Sequence, residues 1–226
     1  NPHLPINQGL VGCWPMNERA GTQVFDASAN GLDGVVEGAA WVGGMDGHCL
    51  SFDGSGDKIT VSDHPRLRGM SQLTISAWVY EYSNASGRYN KIVNRGGSSR
   101  VYELYSGSGG GKYVFAVNNN SLVTSTGTIA NAWTHLVAVY DGSAQYLYIN
   151  GVVDPTTDPQ SGIVSDDPMA TYIGYRYGAD YYQGLIGSVA IWDRALTPNE
   201  IASLYADLWQ GFRRPVIEWW GAVLDA

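Results

Sequence analysis

The 226-residue sequence holds only two cysteines, Cys13 and Cys49, and neither belongs to a CxxC pair. That excludes a disulfide framework and a zinc or redox motif, and it leaves one disulfide or two unlinked thiols open. Charge is scarce at 15% and unbalanced, with 13 Lys plus Arg against 21 Asp plus Glu and a net charge of −8. Affinity for a phosphate backbone comes mainly from cations that release counterions, so neither nucleic acid nor an anionic membrane is an expected partner. No apolar run approaches the roughly 20 residues that span a bilayer, and the opening NPHLPINQG lacks the basic and apolar regions of a signal peptide. Helix signals are also nearly missing.

What the chain has in quantity is 29 Gly, 15 Tyr and 8 Trp, a composition suited to short strands joined by tight turns. Its length allows a substantial core without help from metals or disulfides. In LTISAWVYE, Leu73, Ile75, Ala77 and Val79 fall on one face and Thr74, Ser76, Trp78 and Tyr80 on the other, which predicts a strand with one buried face. Further runs such as KITVSD, NKIVNRG, VYELYSG, KYVFAVN and YQGLIGSVAIWD follow, separated by Gly, Asn, Asp and Ser clusters. Strands at this spacing, without crossover helices, predict an all-β antiparallel sandwich or jelly roll. Asp141-Gly142 and Asn150-Gly151 read as two-residue hairpin turns within a three-stranded meander. One short helix is expected near the C-terminus, where Thr197 caps, Pro198 takes the first position and Glu200 completes a capping box.

The chain divides into a lead (1–8), the sandwich (9–208) and a tail (209–226). The tail carries Trp209, Phe212, Trp219 and Trp220, and Pro215 stops any continuation of the helix. Large aromatics beyond a closed sandwich form an apolar patch, so the tail is expected either to contact another chain or to wrap its own domain.

Catalytic patterns are absent. A retaining glycosidase needs two carboxylates about 5 Å apart, and Glu103 in VYELYSG stands on its middle strand without a partner acid. There is no G-x-S-x-G elbow, and His3, His48, His64 and His135 sit in unrelated contexts. His135, inside a strand, reads as structural. The chain is therefore not expected to be an enzyme.

Binding chemistry is better represented. In DASANGLDG, Asp26, Ser28, Asn30 and Asp33 place side-chain oxygens within eight residues, with Gly31 and Gly34 permitting a sharp backbone path. Such a loop suits calcium, or equally an Asx-turn network in which the side chains bond their own backbone. A helix-loop-helix site is excluded by the flanks GTQVF and GAAWVGG, which puts Glu37 on a strand. The second acidic loop, DGSGDK with Asp53 and Asp57, reads as a hairpin turn. Sugar recognition uses aromatic faces with polar groups beside them, and YRYGADYYQG is the densest such stretch, with Tyr175, Arg176, Tyr177, Asp180, Tyr181 and Tyr182. Tyr102, Tyr105, Tyr113 and Asn118 would line the middle of a sheet if their faces are concave.

The order GLVGCWPMNE, DASANGLDG, HCLSFDGSGDKITV, LTISAWV, WTHLVAVYDGSAQYLYING and GLIGSVAIWDRALTPNEI resembles the laminin G-like jelly-roll domains of the concanavalin A-like superfamily. The resemblance spans roughly residues 9 to 208. It implies a two-sheet antiparallel sandwich of about 14 strands, often with calcium at one edge and a carbohydrate or protein ligand on the concave sheet or its rim. It also implies that Asp193 of IWDRAL approaches the Asp26 loop and completes a calcium ligand set. The polar lead and aromatic tail resemble laminin G-like proteins of tailed bacteriophages. Two functions follow as expectations. One is a calcium-stabilised, lectin-like module for a glycan or protein surface, extracellular or on a virion. The other is a virion decoration or filament subunit that self-associates or docks through its tail.

Overall fold

Leu73, Ile75, Ala77 and Val79 alternate along the strand Leu73–Glu81, and all four are buried between two sheets. A computed structural model describes residues 4–45, 47–82, 89–97, 99–107, 112–118, 121–127, 131–178 and 180–207. Within them, two antiparallel sheets of eight strands each face one another, and two further short strands pair as a ribbon. The first sheet runs, in spatial order, Val152–Pro159, Ala144–Ile149, Trp133–Tyr140, Leu73–Glu81, Gln183–Trp192, Gly47–Asp53 and Ala40–Gly44, and Leu10–Trp14 pairs with the far end of Gln183–Trp192. The second runs Ser121–Thr124, Tyr113–Val117, Arg100–Ser106, Asn90–Gly96, Thr171–Ile173, Lys58–Val61, Gly34–Glu37 and Gln23–Val24. Sheet neighbours such as Gln183–Trp192 and Leu73–Glu81 are far apart in sequence, so the jelly-roll order rests on long-range pairing. The strand total exceeds the sequence expectation because two-residue pieces such as Gln23–Val24 join the ladders.

One expectation changes. The second face of Leu73–Glu81 is not solvated: Thr74, Ser76 and Trp78 are buried as well. The helix Pro198–Ala206 and the N-terminal lead cover this face, where Ile6, Val137, Val139, Tyr148, Trp192, Leu196, Ile201 and Leu204 form a second apolar cluster. The lead is tied down by backbone carbonyls that accept from distant side chains: Trp192 Nε1 donates to Ile6 O at 2.7 Å and Arg194 to Pro5 O at 3.0 Å. Thr74 Oγ1 donates to Arg194 O at 2.7 Å. The capping box forms as expected, with Glu200 N donating to Thr197 Oγ1 and Thr197 N to Glu200 Oε2 at 2.8 Å.

The meander forms, but its two turns differ. Asn150 and Gly151 both take positive φ, 51° and 80°, and join Ile149 to its partner Val152 as a two-residue hairpin. Asp141-Gly142 belongs to a longer loop, since Tyr140 pairs with Gln145. The Asp141 carboxylate accepts from Ser143 N and Ala144 N, both at 2.8 Å, and this holds the wider turn closed. Cys13 and Cys49 are both free and buried, and burial pushes the Cys13 thiol up to about 12 and the Cys49 thiol up to about 11. No helix among the described residues is long and apolar enough to cross a membrane.

Candidate functional site

After the strand Thr171–Ile173, Gly174 takes φ +81°, and a Cβ there would lie 2.3 Å from the Phe52 ring, so only glycine fits. The chain then forms a ribbon in which Tyr175 pairs with Tyr181 and Arg176 with Asp180, lying against the strand Asn90–Gly96. The Tyr175 and Tyr181 rings face each other with centroids 4.9 Å apart, and Tyr172 meets Tyr175 edge-on at 5.3 Å. Both rings of the facing pair stay partly exposed, Lys58 Nζ lies 5.5 Å from the Tyr175 centroid, and Tyr177 at the ribbon tip is 71% exposed. Tyr182 does not share this surface. The alternation that turns Tyr181 outward turns Tyr182 into the core, fully buried and edge-on to Phe52 at 6.0 Å.

Beside the ribbon, the second sheet carries a cluster that only pairing across strands assembles. Tyr102 and Leu104 face the core, so Glu103 and Tyr105 stand on the opposite face, where their partners are Asn94 and Lys91. Glu103 is fully buried, and three cations surround it. Lys91 Nζ lies 2.9 Å from Oε2, Arg100 Nε 2.6 Å from Oε1, and Arg176 Nε 3.9 Å from Oε2. The Lys91 ammonium also sits 3.5 Å from the Tyr105 centroid and 5.3 Å from that of Tyr89, whose ring meets Tyr105 edge-on at 5.7 Å. Burial holds the Lys91 ammonium below its ordinary value, against the opposing pull of Glu103. Burial likewise pushes the Tyr105 hydroxyl up to about 12. Beyond the ion-paired Arg100 Nε and Glu103 Oε1, the buried Asn94 Oδ1 and Arg176 Nε of the cluster make no hydrogen bond among the described residues.

Of the four residues read as lining a sheet, only Tyr105 belongs to this face. Tyr102 and Tyr113 are core residues. Asn118 is a turn residue that donates to Ile163 O at 2.7 Å and accepts from Ser165 N at 2.8 Å. The sequence reading missed Lys91, Asn94, Arg100, Tyr89 and Tyr172. Its available signal was Lys91 and Asn94 in NKIVNRG, polar residues on a strand whose neighbours Ile92 and Val93 are core.

The Asp26 loop closes on itself. Asp26 Oδ1 accepts from Cys13 N at 2.9 Å and Ser28 N at 2.8 Å, and Oδ2 accepts from Ser28 Oγ at 2.7 Å and Leu32 N at 3.0 Å. Asp33 Oδ1 accepts from Asp26 N at 2.8 Å, and Asn30 Nδ2 donates to Val11 O at 2.9 Å. These lone pairs are directed at N–H and O–H donors, which a cation would have to displace. Asp193 is held at the start of the N-terminal strand, its backbone N donating to Gly9 O at 2.9 Å, while Asp26 is anchored at Cys13 and Asn30 Nδ2 donates to Leu10 O at 3.1 Å. As arranged, the side chains of Asp26, Ser28, Asn30 and Asp33 bond within their own loop and to the N-terminal strand, which is the geometry of the Asx-turn alternative. Among the described residues no three His, Cys, Asp or Glu side chains gather in a metal-holding group. Asp53 and Asp57 form the expected turn, with Asp53 N donating to Asp57 Oδ2 at 2.8 Å. Glu37 sits on a strand and pairs with Lys58 at 3.3 Å. The tail residues Trp209, Phe212, Trp219 and Trp220 lie outside the described residues.

The two facing sheets and their jelly-roll order define an antiparallel β-sandwich. Residues 53–202 match the Laminin_G_3 family of the concanavalin A-like lectin/glucanases superfamily, and the chain belongs to that family. It is 24% identical over 215 residues to human adhesion G-protein coupled receptor D1, covering 91% of this chain and 24% of the receptor. The chain thus spans about a quarter of that relative's length. Among solved structures it resembles domain 4 of AbnA, an extracellular arabinanase from Geobacillus stearothermophilus, in complex with arabinotriose. That likeness has a TM-score of 0.70 and 19% identity over 87% of this chain and 98% of that one. It also resembles the binding domain of Paraclostridial Mosquitocidal Protein 1, with a TM-score of 0.73 and 16% identity over 91% of this chain and 53% of that one. At these identities the likeness extends to the fold alone.

Proposed function

We propose that this chain is a non-catalytic, lectin-like module, acting outside the cell, that holds carbohydrate on Tyr175 and Tyr181 and on the adjoining face of the second sheet. The observation that carries the reading is the pair of partly exposed, facing tyrosine rings beside Arg176 on a short ribbon. Aromatic faces take the C–H surface of a pyranose, and a neighbouring guanidinium supplies donors for its oxygens. A neighbouring fold that is described with arabinotriose, and another described as a binding domain, support this use of the sandwich. The non-catalytic part of the reading is supported by Glu103, whose two carboxylate oxygens lie against Lys91 and Arg100. A carboxylate so occupied is poorly placed to act as nucleophile or proton donor. The Asp26 loop serves as an Asx-turn brace for the N-terminal strand, and calcium has no part in the reading. A glycan array on the purified chain tests it: bound glycans released by Tyr175→Ala and Tyr181→Ala are expected. A blank array alongside capture of a protein ligand would move the reading to a protein surface.

A further inference from the structure

Resting on the glycan reading, the charge around Glu103 specifies which glycans. Lys91, Arg100 and Arg176 surround this carboxylate, and the one other acid whose field reaches Lys91 is Asp180. Among the described residues the cluster holds these three cations and two acids, within a chain whose net charge is −8. Lys58, whose Nζ lies 5.5 Å from the Tyr175 centroid, is already paired with Glu37 at 3.3 Å. A surplus charge in a partly desolvated cluster is costly unless a counter-charge arrives.

The cluster also shows where that counter-charge would sit. Lys91 and Glu103 are sealed, at 1% and 0% side-chain exposure, but Arg100 and Arg176 retain 27% and 20%. At 3.9 Å the contact from Arg176 Nε to Glu103 is electrostatic and too long for a hydrogen bond, and that Nε has no hydrogen-bond partner among the described residues. A planar guanidinium matches a carboxylate in geometry as well as in charge, and Arg176 keeps part of its side chain exposed. Asn94, whose Nδ2 donates to Glu103 Oε2 at 3.4 Å, is a buried member of the same cluster. One residue away, Tyr175 and Tyr181 offer the stacking surface.

We infer that the ligand is a carboxylate-bearing sugar, its ring against Tyr175 and Tyr181 and its carboxylate on Arg176 with Arg100 beside it. Uronates and sialates share this chemistry, and the assay separates them. Isothermal titration with an oligogalacturonide, its carboxyl-reduced neutral counterpart, sialyllactose and lactose tests the assignment. The acidic member of one pair is expected to bind at least about tenfold tighter than its neutral counterpart, as for loss of one charged hydrogen bond. Raising the salt should shrink that preference, because the contact is partly exposed. Arg176→Gln should bring acidic and neutral sugars to the same affinity, whereas Tyr175→Ala should weaken both and keep their ratio. Arg100→Gln is the second variant, with circular dichroism confirming the fold of each. Equal affinity for acidic and neutral sugars overturns this inference and leaves the glycan reading standing. Absence of binding to all four overturns both.

Discussion

The Lys91 ammonium stands 2.9 Å from the Glu103 carboxylate, and neither side chain exposes more than 1% of its surface. Removing one member of a sealed pair leaves the other as an uncompensated buried charge. Glu103→Gln strands Lys91 together with two arginines and is expected to destabilise the fold by about 3 kcal/mol. Lys91→Met leaves Glu103 its contact with Arg100 at 2.6 Å and should cost less. Urea unfolding at neutral pH measures both, and the reverse order would refute this account of the cluster.

His135 predicts an acid-sensitive fold. Its ring stacks beside Trp78, at 5.0 Å, and Tyr205, at 6.1 Å, two rings that are themselves 5.7 Å apart, and its Nε2 lies 2.8 Å from Ser76 Oγ. Burial pushes the imidazole down from 6.5 to about 4. The folded state therefore prefers the neutral ring, and its advantage is complete above the unfolded value of 6.5 and lost as pH falls towards 4. The loss over that window is on the order of 3 kcal/mol. His135→Gln should flatten the stability profile between those limits. Glu200, which Arg194 holds down to about 2, loses its contribution only at lower pH, so the two windows separate. A wild-type profile that is flat from neutrality to pH 4 would contradict the assignment.

Asp26 is expected to matter without metal. Its carboxylate accepts backbone N–H groups from Cys13, Ser28 and Leu32, so Asp26→Ala leaves several donors unmatched and should lower stability by about 2 kcal/mol. Millimolar EDTA should leave the melting temperature of the wild-type chain unchanged. A chelator-induced drop that vanishes in Asp26→Ala would restore the calcium reading.

Two neighbouring tyrosines should behave oppositely. Tyr182→Ala opens a cavity against Phe52 and is expected to cost about 3–5 kcal/mol. Tyr181→Ala removes a partly exposed ring and should shift stability by less than about 1 kcal/mol while abolishing glycan retention. Thermal melts and the array, run on both variants, check the contrast.

Much of the fold was legible because its signals are local. The alternation in LTISAWVYE, the Asn150-Gly151 turn and the Thr197 to Glu200 capping box each depend on residues within a few positions, and each formed. The burial of Thr74, Ser76 and Trp78 was not legible, because the covering helix comes more than a hundred residues later. Asp141-Gly142 misled because a dipeptide cannot report the register of the strands beyond it. The Asp26 loop was recognised as a special feature, but oxygen side chains at that spacing serve an ion and an Asx network equally well. Only the positions of Cys13 N and Leu32 N separate the two.

The sequence by itself determined an all-β sandwich with one terminal helix and a tyrosine-rich ribbon, since alternation and turn chemistry are written residue by residue. Tertiary structure alone decided that Tyr182 leaves the ribbon for the core while Lys91, Asn94, Arg100 and Glu103 join it. Those residues come from two adjacent strands and an outlying ribbon, and hydrogen-bond register across the sheet brings them together. That register is set by how the whole core packs, which no short stretch of chain encodes.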